Sequence, residues 1–441
     1  MPFAAIPAVV ALLLGAAPGP AAAPAPDLTA KCIACHAKST PGIVSDWKLS
    51  RHAAVAVGCD ACHGATHLTA ADASKARLPT PDTCAQCHAT QVEQYKGSKH
   101  ALAWAAMMAM PTFHNQPAVL TDGLKGCGGC HAIGLKEEAD RKAIAKVSGR
   151  NYGSGSCDSC HTRHTFSVKE ARAPQACKSC HMGFDHAQWE MYDSSKHGVR
   201  HELVQIGALP RGASAPTCQT CHMQKGDHGV MTGWGFLAVR LPLPEDAQWK
   251  ADQGTILKAL GVLDPAGKPT TMLEVVKAAK VARLTEEDWQ AQRTKMIDTC
   301  KQCHSETFAR SQMERGDLTI KEADRLMAQA IEIVAGLYRD GLLQRSKGQF
   351  FDYPNVLQFH DSPTVVEQKL FVMFMEHRMR TFQGSFHNSP DYALWYGWSE
   401  MQRDLAEIRE RAVEMRRARE IERKLGMPPE ARPAMAPAPK K

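Results

Sequence analysis

The chain has 441 residues, a formal charge of +7, 22% charged residues, 16 cysteines and 20 histidines. It has no basic tract with interleaved aromatics, which excludes a nucleic-acid surface. Beyond a short N-terminal run, no stretch is long and apolar enough to cross a bilayer. In chain order, residues 3–17 (FAAIPAVVALLLGAA) form an apolar segment interrupted by Pro7 and closed by Pro18, too short for a span. Ala21-Ala22-Ala23 offers a small-residue cleavage site, so residues 1–23 are expected to be an export signal and the mature protein soluble and periplasmic. Cys32 lies too far from the apolar segment to be a lipidation site.

All sixteen cysteines then fall in eight Cys-x-x-Cys-His motifs: Cys32/Cys35/His36, Cys59/Cys62/His63, Cys84/Cys87/His88, Cys127/Cys130/His131, Cys157/Cys160/His161, Cys177/Cys180/His181, Cys218/Cys221/His222 and Cys300/Cys303/His304. Each is a c-type haem attachment signal, in which two thiols add to the haem vinyl groups and the following histidine ligates the iron. A zinc protein needs paired motifs. A disulfide framework would not place a histidine after every second cysteine. The chain therefore reads as a cytochrome with eight covalently attached haem c groups, whose chemistry is redox chemistry at iron. A ferric haem with ionised propionates and neutral axial ligands carries about −1, so eight offset the formal +7 and many Lys and Arg become propionate partners.

From Cys32 to His222 seven motifs share 191 residues, about 27 each, too little polypeptide for an ordinary apolar core. Residues 24–222 are expected to be a seven-haem domain whose porphyrins are the core. Residues 223–299 carry no motif and read as a connecting region, punctuated by Pro242, Pro244, Gly261, Pro265, Gly267 and Pro269, with one helix near 271–279 and another over 285–299. Residues 300–426 hold the eighth motif and a C-terminal helical domain. Over 321–343 the apolar positions Ala323, Leu326, Met327, Ala330, Ile331, Val334 and Leu337 follow helical spacing. Ser362-Pro363 opens a helix to about Arg380, and Ser389-Pro390 another to about Leu425, with Gly426 past its end. The stripe Leu394, Trp398, Met401, Leu405, Ile408, Ala412 and Met415 is a heptad seam. It suits packing within one subunit or, since the helix is long and its other faces are charged, a contact between subunits; the second is preferred. Residues 427–441, rich in Pro and Ala, read as a disordered tail. The fold class is mainly α: a multihaem cytochrome c with a haem-packed core and a C-terminal long-helix bundle.

Eight histidines serve as proximal ligands, leaving His52, His67, His100, His114, His164, His186, His197, His201, His228, His360, His377 and His387. An electron conduit with every iron bis-histidine needs eight of these; an enzyme with one open iron needs seven. The supply permits both. His52, His100 and His197 sit in small-residue or basic settings, and His67, His164 and His228 lie just past a motif, where a histidine commonly reaches a neighbouring haem. These six and His377 are the expected distal ligands. Asp185-His186 differs: a carboxylate beside a histidine suits proton donation to something bound at an open iron, although a structural pair is the alternative.

The run from Cys157 through His164-Thr165-Phe166-Ser167, then Cys177 to His186, Glu190-Met191-Tyr192 and Ser195-Lys196-His197-Gly198, resembles octahaem hydroxylamine oxidoreductase. So does the order of seven clustered motifs, a long gap and an eighth motif before C-terminal helices. The resemblance implies a catalytic haem at Cys127, Cys130 and His131, with no distal protein ligand and with Asp185 and His186 above it. It also implies a homotrimer. In hydroxylamine-oxidising members a tyrosine from a neighbouring subunit is bonded to the catalytic haem, near a His-x-x-x-Asp-Tyr element, here His387 to Tyr392. The aromatics upstream in this chain are Phe382 and Phe386, which cannot form that bond, and Tyr392 belongs to the shared element. The sequence thus resembles the branch without the crosslink, associated with reduction of nitrite and hydroxylamine, the electrons coming from a membrane quinol-oxidising cytochrome c or a similar donor. The alternatives are hydroxylamine oxidation and a non-catalytic conduit.

Overall fold

The chain is built from helices joined by turns; among the described residues the one β pairing is an isolated bridge between Leu263 and Pro269. The computed structural model describes residues 28–110, 113, 116–148, 155–235, 237–278, 282, 284–346, 349–358 and 362–426. The expected export signal, the expected tail, His114 and His360 lie outside them. Two compact units divide at Arg77, inside the stretch expected to be one seven-haem domain.

In the first unit, α1 (Leu28–Ser39) carries the first motif, and α2 (Pro41–Leu49) opens with proline at its first turn, where a missing N–H costs nothing. Val44 is the one apolar side chain described as buried between residues 28 and 77. Burial of one valine, roughly 2 kcal/mol, cannot hold fifty residues in place against chain entropy. The unit needs a core that the polypeptide does not supply.

The second unit begins with α3 (Pro81–Lys96), which carries the third motif behind a Thr80 capping box. Next, α4 (Ala103–Met108) packs against α5 (Cys127–His131), the helical turn of the fourth motif. The glycines around that turn are steric necessities. A Cβ on Gly126, which also has φ +49°, would collide with the Leu120 carbonyl, and one on Gly128 with the carbonyl of Gly123.

Beyond residue 237 the chain makes a conventional apolar core. It is formed by α6 (Ala247–Ala259), α7 (Glu286–Cys300), α8 (Glu306–Arg339), α9 (Val365–Val372), α10 (Met379–Phe386) and α11 (Ser399–Lys424). The expected stripe Ala323 to Leu337 is buried throughout, on a helix that starts earlier than its pattern suggests because Ser305 caps it. The helix expected near 271–279 is present as Met272–Ala278. Two findings depart from expectation. The motif-free stretch 223–299 is no simple connector: α6, capped by Asp246, packs on α8, and Val239, Ile256, Leu257, Leu260 and Val262 join the same core. The heptad seam packs, from Met401 onward, within its own chain. Met401, Leu405, Ile408 and Ala412 are buried against the stripe of α8 in their own chain, Trp398 packs on that core, and Leu394 is exposed. The partner stripe that the seam needs was on a neighbouring helix of the same chain.

Two π-helical turns, Met373–Arg378 and Leu394–Trp398, pack against one another in this bundle. The first carries Arg378, fully buried, which donates to Asp324 Oδ1 from Nε at 2.9 Å and Nη2 at 2.7 Å. Asp324 Oδ2 accepts from Trp249 at 2.8 Å and Gln253 at 3.0 Å. With both oxygens occupied, the pair meets the condition under which a buried ion pair is tolerated.

Candidate functional site

Several motif histidines are held the same way. Nδ1 of His36 meets Thr40 Oγ1 at 2.8 Å, that of His63 the Arg77 carbonyl at 2.9 Å, that of His131 the Ala103 carbonyl at 2.8 Å and that of His181 Gln188 Oε1 at 3.3 Å. Fixing Nδ1 leaves Nε2 as the ligating atom.

A second imidazole faces five of the motif rings. Ring centres are 6.0 Å apart for His36 and His67, 6.0 Å for His181 and His100, 6.3 Å for His161 and His228, 6.1 Å for His304 and His197, and 6.4 Å for His222 and His387. A metal–imidazole bond is about 2.0 Å long and the ring centre lies roughly 1 Å further, so two imidazoles on opposite sides of one metal stand about 6 Å apart centre to centre. The spacing fits a haem iron between each pair. Protonation agrees, since a ligand must be neutral. Burial pushes His100, His161, His197 and His387 below the ordinary imidazole range, and His181 and His222 down to about 4.

Of the expected distal ligands, His67, His100, His197 and His228 are therefore brought to motif histidines. His67 is further fixed by Asp72 Oδ1, 2.9 Å from its Nδ1. His52, on the turn Arg51–Ala54, and His164, whose ring packs on Phe166, each make interactions of their own, as does the motif histidine His88. His377 is not brought to a motif. Its Nδ1 meets Asp404 Oδ2 at 2.5 Å inside the helical bundle, and His387, bonded through Nδ1 to the Gln383 carbonyl at 2.8 Å, takes the place opposite His222. The sequence signal missed was that His377 lies within the apolar run of the bundle, whereas His387 follows a helix end.

His131 is different. Among the described residues no imidazole faces it. The Asp185–His186 pair lies close by: the Cys130 thiol of the fourth motif touches the Cys180 thiol of the sixth and feels the Asp185 charge, while Cys180 feels His186. His186 is also 6.1 Å from His181, but it sits beside the motif, where Asp185 and the Cys180 carbonyl hold its ring. His100 is left as the partner across from His181. Burial opposes charge on His186, yet the hydrogen bond and charge of Asp185 outweigh it, and the pKa of His186 is raised where those of the paired histidines fall. The ring is built to carry a proton.

The sulfurs also trace an order. Cys32 touches Cys59 within the first unit. In the second unit Cys84 touches Cys157, Cys160 neighbours Cys177 and Cys180, Cys177 touches Cys218, and Cys221 neighbours Cys300 and Cys303. Motifs three, five, six, seven and eight form a line, and the fourth branches from the sixth.

No attachment cysteine is fully buried. Cys35 and Cys87 are exposed, as are Cys127 and Cys303, and Cys62 is half-buried. Their backbones, not burial, hold two of these positions: the Cys35 carbonyl accepts from the Ser39 hydroxyl at 3.4 Å, and the Cys62 carbonyl from Arg77 Nε at 2.9 Å. Cys87 lies in an exposed stretch of α3, before Val92 and Tyr95 bury its last turns. The sulfurs that meet are of both kinds: Cys32, Cys59, Cys84, Cys157, Cys177 and Cys218 are first cysteines of their motifs, whereas Cys130 and Cys180 are second ones. Motif spacing identifies both cysteines equally and says nothing of which one faces the next motif.

A sequence profile described as "Seven times multi-haem cytochrome CxxCH" matches residues 55–236 and 273–350, and one of cytochrome c554 and c-prime matches 20–64. The chain is 25% identical, over 489 aligned positions, to a "Probable nitrite reductase-hydroxylamine oxidoreductase fusion protein" of Kuenenia stuttgartiensis, covering 88% of this chain and 52% of that protein. It thus spans about half the length of that relative. Among solved structures it is similar to a "reducing HAO-like protein complex" of Kuenenia stuttgartiensis, with 24% identity and a TM-score of 0.62 over 89% of this chain and 86% of that one. It is also similar to a hypothetical multihaem protein, with 22% identity and a TM-score of 0.61 over 89% and 96%. At these identities the structures establish a shared fold. No helix among the described residues is long and apolar enough to cross a membrane.

Proposed function

The chain belongs to the multi-haem cytochrome family, with haem c attached through Cys-x-x-Cys-His motifs, and from that premise we propose that it binds eight haems and reduces nitrite and hydroxylamine to ammonia at the fourth motif. The observation that carries the reading is the contrast between His131, which no described imidazole faces, and five other motif histidines that each have one at 6.0–6.4 Å. Cys127, Cys130 and His131 would hold the haem, which would supply redox chemistry to a nitrogen-oxide substrate bound there. The chain supplies the rest. The Ala103 carbonyl orients His131, Asp185 orients His186, and His186 delivers protons as each N–O bond breaks. Nitrite to ammonia takes six electrons, hydroxylamine to ammonia two, and the line of motifs three, five, six, seven and eight meets the site at the sixth.

The reductive direction rests on the resemblance to the branch without a tyrosine crosslink. Phe382 is buried and Phe386 packs on the core beside Gly316, while the Tyr392 ring lies tilted against Tyr396, 5.1 Å centre to centre. Export to the periplasm, supply of electrons by a quinol-oxidising cytochrome c and assembly as a homotrimer belong to the same reading; the trimer rests on the resemblance alone, since the seam of α11 is buried.

The test is dye-driven turnover. Reduction of nitrite or hydroxylamine should exceed hydroxylamine oxidation, and Asp185→Asn or His186→Ala should lower the reductive rate about 10²–10⁴-fold, the usual range for lost proton transfer, with haem content unchanged. Equal or faster oxidation, or a red-shifted haem bonded to a tyrosine, would reverse the direction. If added cyanide perturbs no haem, the fourth site is closed and the protein is a conduit.

A further inference from the structure

Three stretches of the chain share one pattern: an aromatic residue, two variable residues, serine, a basic residue, histidine and a small residue. They are Trp47-Lys48-Leu49-Ser50-Arg51-His52-Ala53, Tyr95-Lys96-Gly97-Ser98-Lys99-His100-Ala101 and Tyr192-Asp193-Ser194-Ser195-Lys196-His197-Gly198. They also share one local structure. Each serine is buried, with 4%, 1% and 2% of its surface exposed. Each closes a turn on the carbonyl of its aromatic residue, by Ser N–H bonds of 2.9 Å in all three and by hydroxyl bonds of 2.6 Å from Ser50 and 2.7 Å from Ser195. Each hydroxyl accepts from the backbone N–H three residues on, at 3.1 Å from Ala53, 3.4 Å from Ala101 and 3.2 Å from Gly198. The small residue is required where the turn closes: a Cβ on Gly198 would collide with the Tyr192 carbonyl. The two tyrosines anchor the element next to other motifs, Tyr95 donating to the Ile133 carbonyl just past the fourth and Tyr192 to the Pro216 carbonyl just before the seventh, at 3.0 Å.

The histidine thus leaves a rigid turn two residues after a doubly bonded serine. Where the opposite ring is described, the outcome is the same. His100 meets His181 at 6.0 Å with the ring planes 59° apart, and His197 meets His304 at 6.1 Å and 54°. Pairs formed without the element scatter: 68° for His36 with His67, 24° for His161 with His228 and 42° for His222 with His387.

We infer that this seven-residue element is a device for delivering a distal imidazole at a set angle, that Ser98 and Ser195 are positioning residues for the sixth and eighth haems, and that Ser50 does the same for His52 as an axial ligand. The angle between axial imidazole planes fixes the splitting of the iron d orbitals, so it is read directly in the g values of a low-spin ferric haem. A loosened ring changes those values without touching the thioether bonds. The inference rests on haem attachment and not on the direction of catalysis.

Electron paramagnetic resonance of the fully loaded protein tests it without turnover. Ser195→Ala and Ser98→Ala should each shift the g values of one low-spin signal, a different one in each variant, with the haem content of the wild type. Ser195→Thr, which keeps the hydroxyl, should restore the original signal. His52→Ala should convert one low-spin haem to high spin. Wild-type g values in both serine variants would overturn the positioning role, and an unaltered set of low-spin signals in His52→Ala would overturn its extension to the third copy. If Ser195→Ala does not retain its haems, Ser98→Ala reads the same question at an independent site.

Discussion

Between residues 28 and 77 the described chain buries one apolar side chain, Val44, whereas α8 alone buries Ile320, Leu326, Met327, Ile331, Val334 and Leu337. The first region has regular helices, caps and turns but nothing of its own to close them around. The second gathers buried apolar residues from several helices into one cluster. One part of the molecule folds around groups bolted to it; the other folds around itself and carries a single motif, which begins at Cys300, the last residue of α7. Secondary structure by itself is therefore no measure of a core.

The largest effect expected from this comparison follows removal of the haems. A chain produced without haem attachment should lose protease resistance throughout 28–222, while a fragment containing 247–424 stays protected. Uniform resistance along the whole chain would break the distinction. A smaller effect is expected inside the bundle. Ile331→Ala, at a fully buried position, should cost about 2–5 kcal/mol of unfolding free energy, the usual range for truncating a large aliphatic in a packed core, and leave haem content and the low-spin spectrum unchanged. A spectrum that moves with Ile331→Ala would mean that the two regions are one cooperative core. The smallest effect concerns the acid limit of the first region. The backbone N–H of Thr69 and then the His67 ring hold the Asp72 carboxylate at a pKa of about 2, against 3.8 in the free side chain. A depressed carboxylate contributes its stability above the free value and loses it as pH falls through the folded one. The low-spin signal of the first haem should therefore persist below pH 4 and fade toward pH 2, and in Asp72→Asn it should lose that acid transition.

The legibility of the sequence divides along the same border. The helical period of Ala323 to Leu337 was readable because packing against other helices repeats every three to four residues, and the seam on α11 was readable for the same reason. What the period could not say is which helix covers the seam, since one chain's α8 and a second subunit's helix present the same chemistry. The connecting region misled because α6 is only weakly amphipathic, and Asp252 and Gln253 are buried among its apolar residues. At the candidate site the attachment residues were legible by spacing alone, because covalent chemistry demands it. Their exposure was not: Cys35 and Cys87 are as regular in spacing as Cys160 yet are exposed where Cys160 is half-buried. Of the histidines that stand opposite a motif ring, His67, His100, His197 and His228 were legible from their settings, but His387 was not, because a single imidazole carries no spacing rule. His377 and His387 differ in what surrounds them in space: a buried carboxylate for one, another imidazole for the other.

The position of the fourth motif has a consequence of layout. Among the described sulfurs it adjoins the line at Cys180 of the sixth motif and lies off the route from the third to the eighth. It is a siding and not a station on the main track. On the proposed reading, charge runs the length of the second unit whether the siding is occupied or empty, so a slow or poisoned substrate does not halt through traffic, and the haems on either side of the junction fill while the chemistry waits.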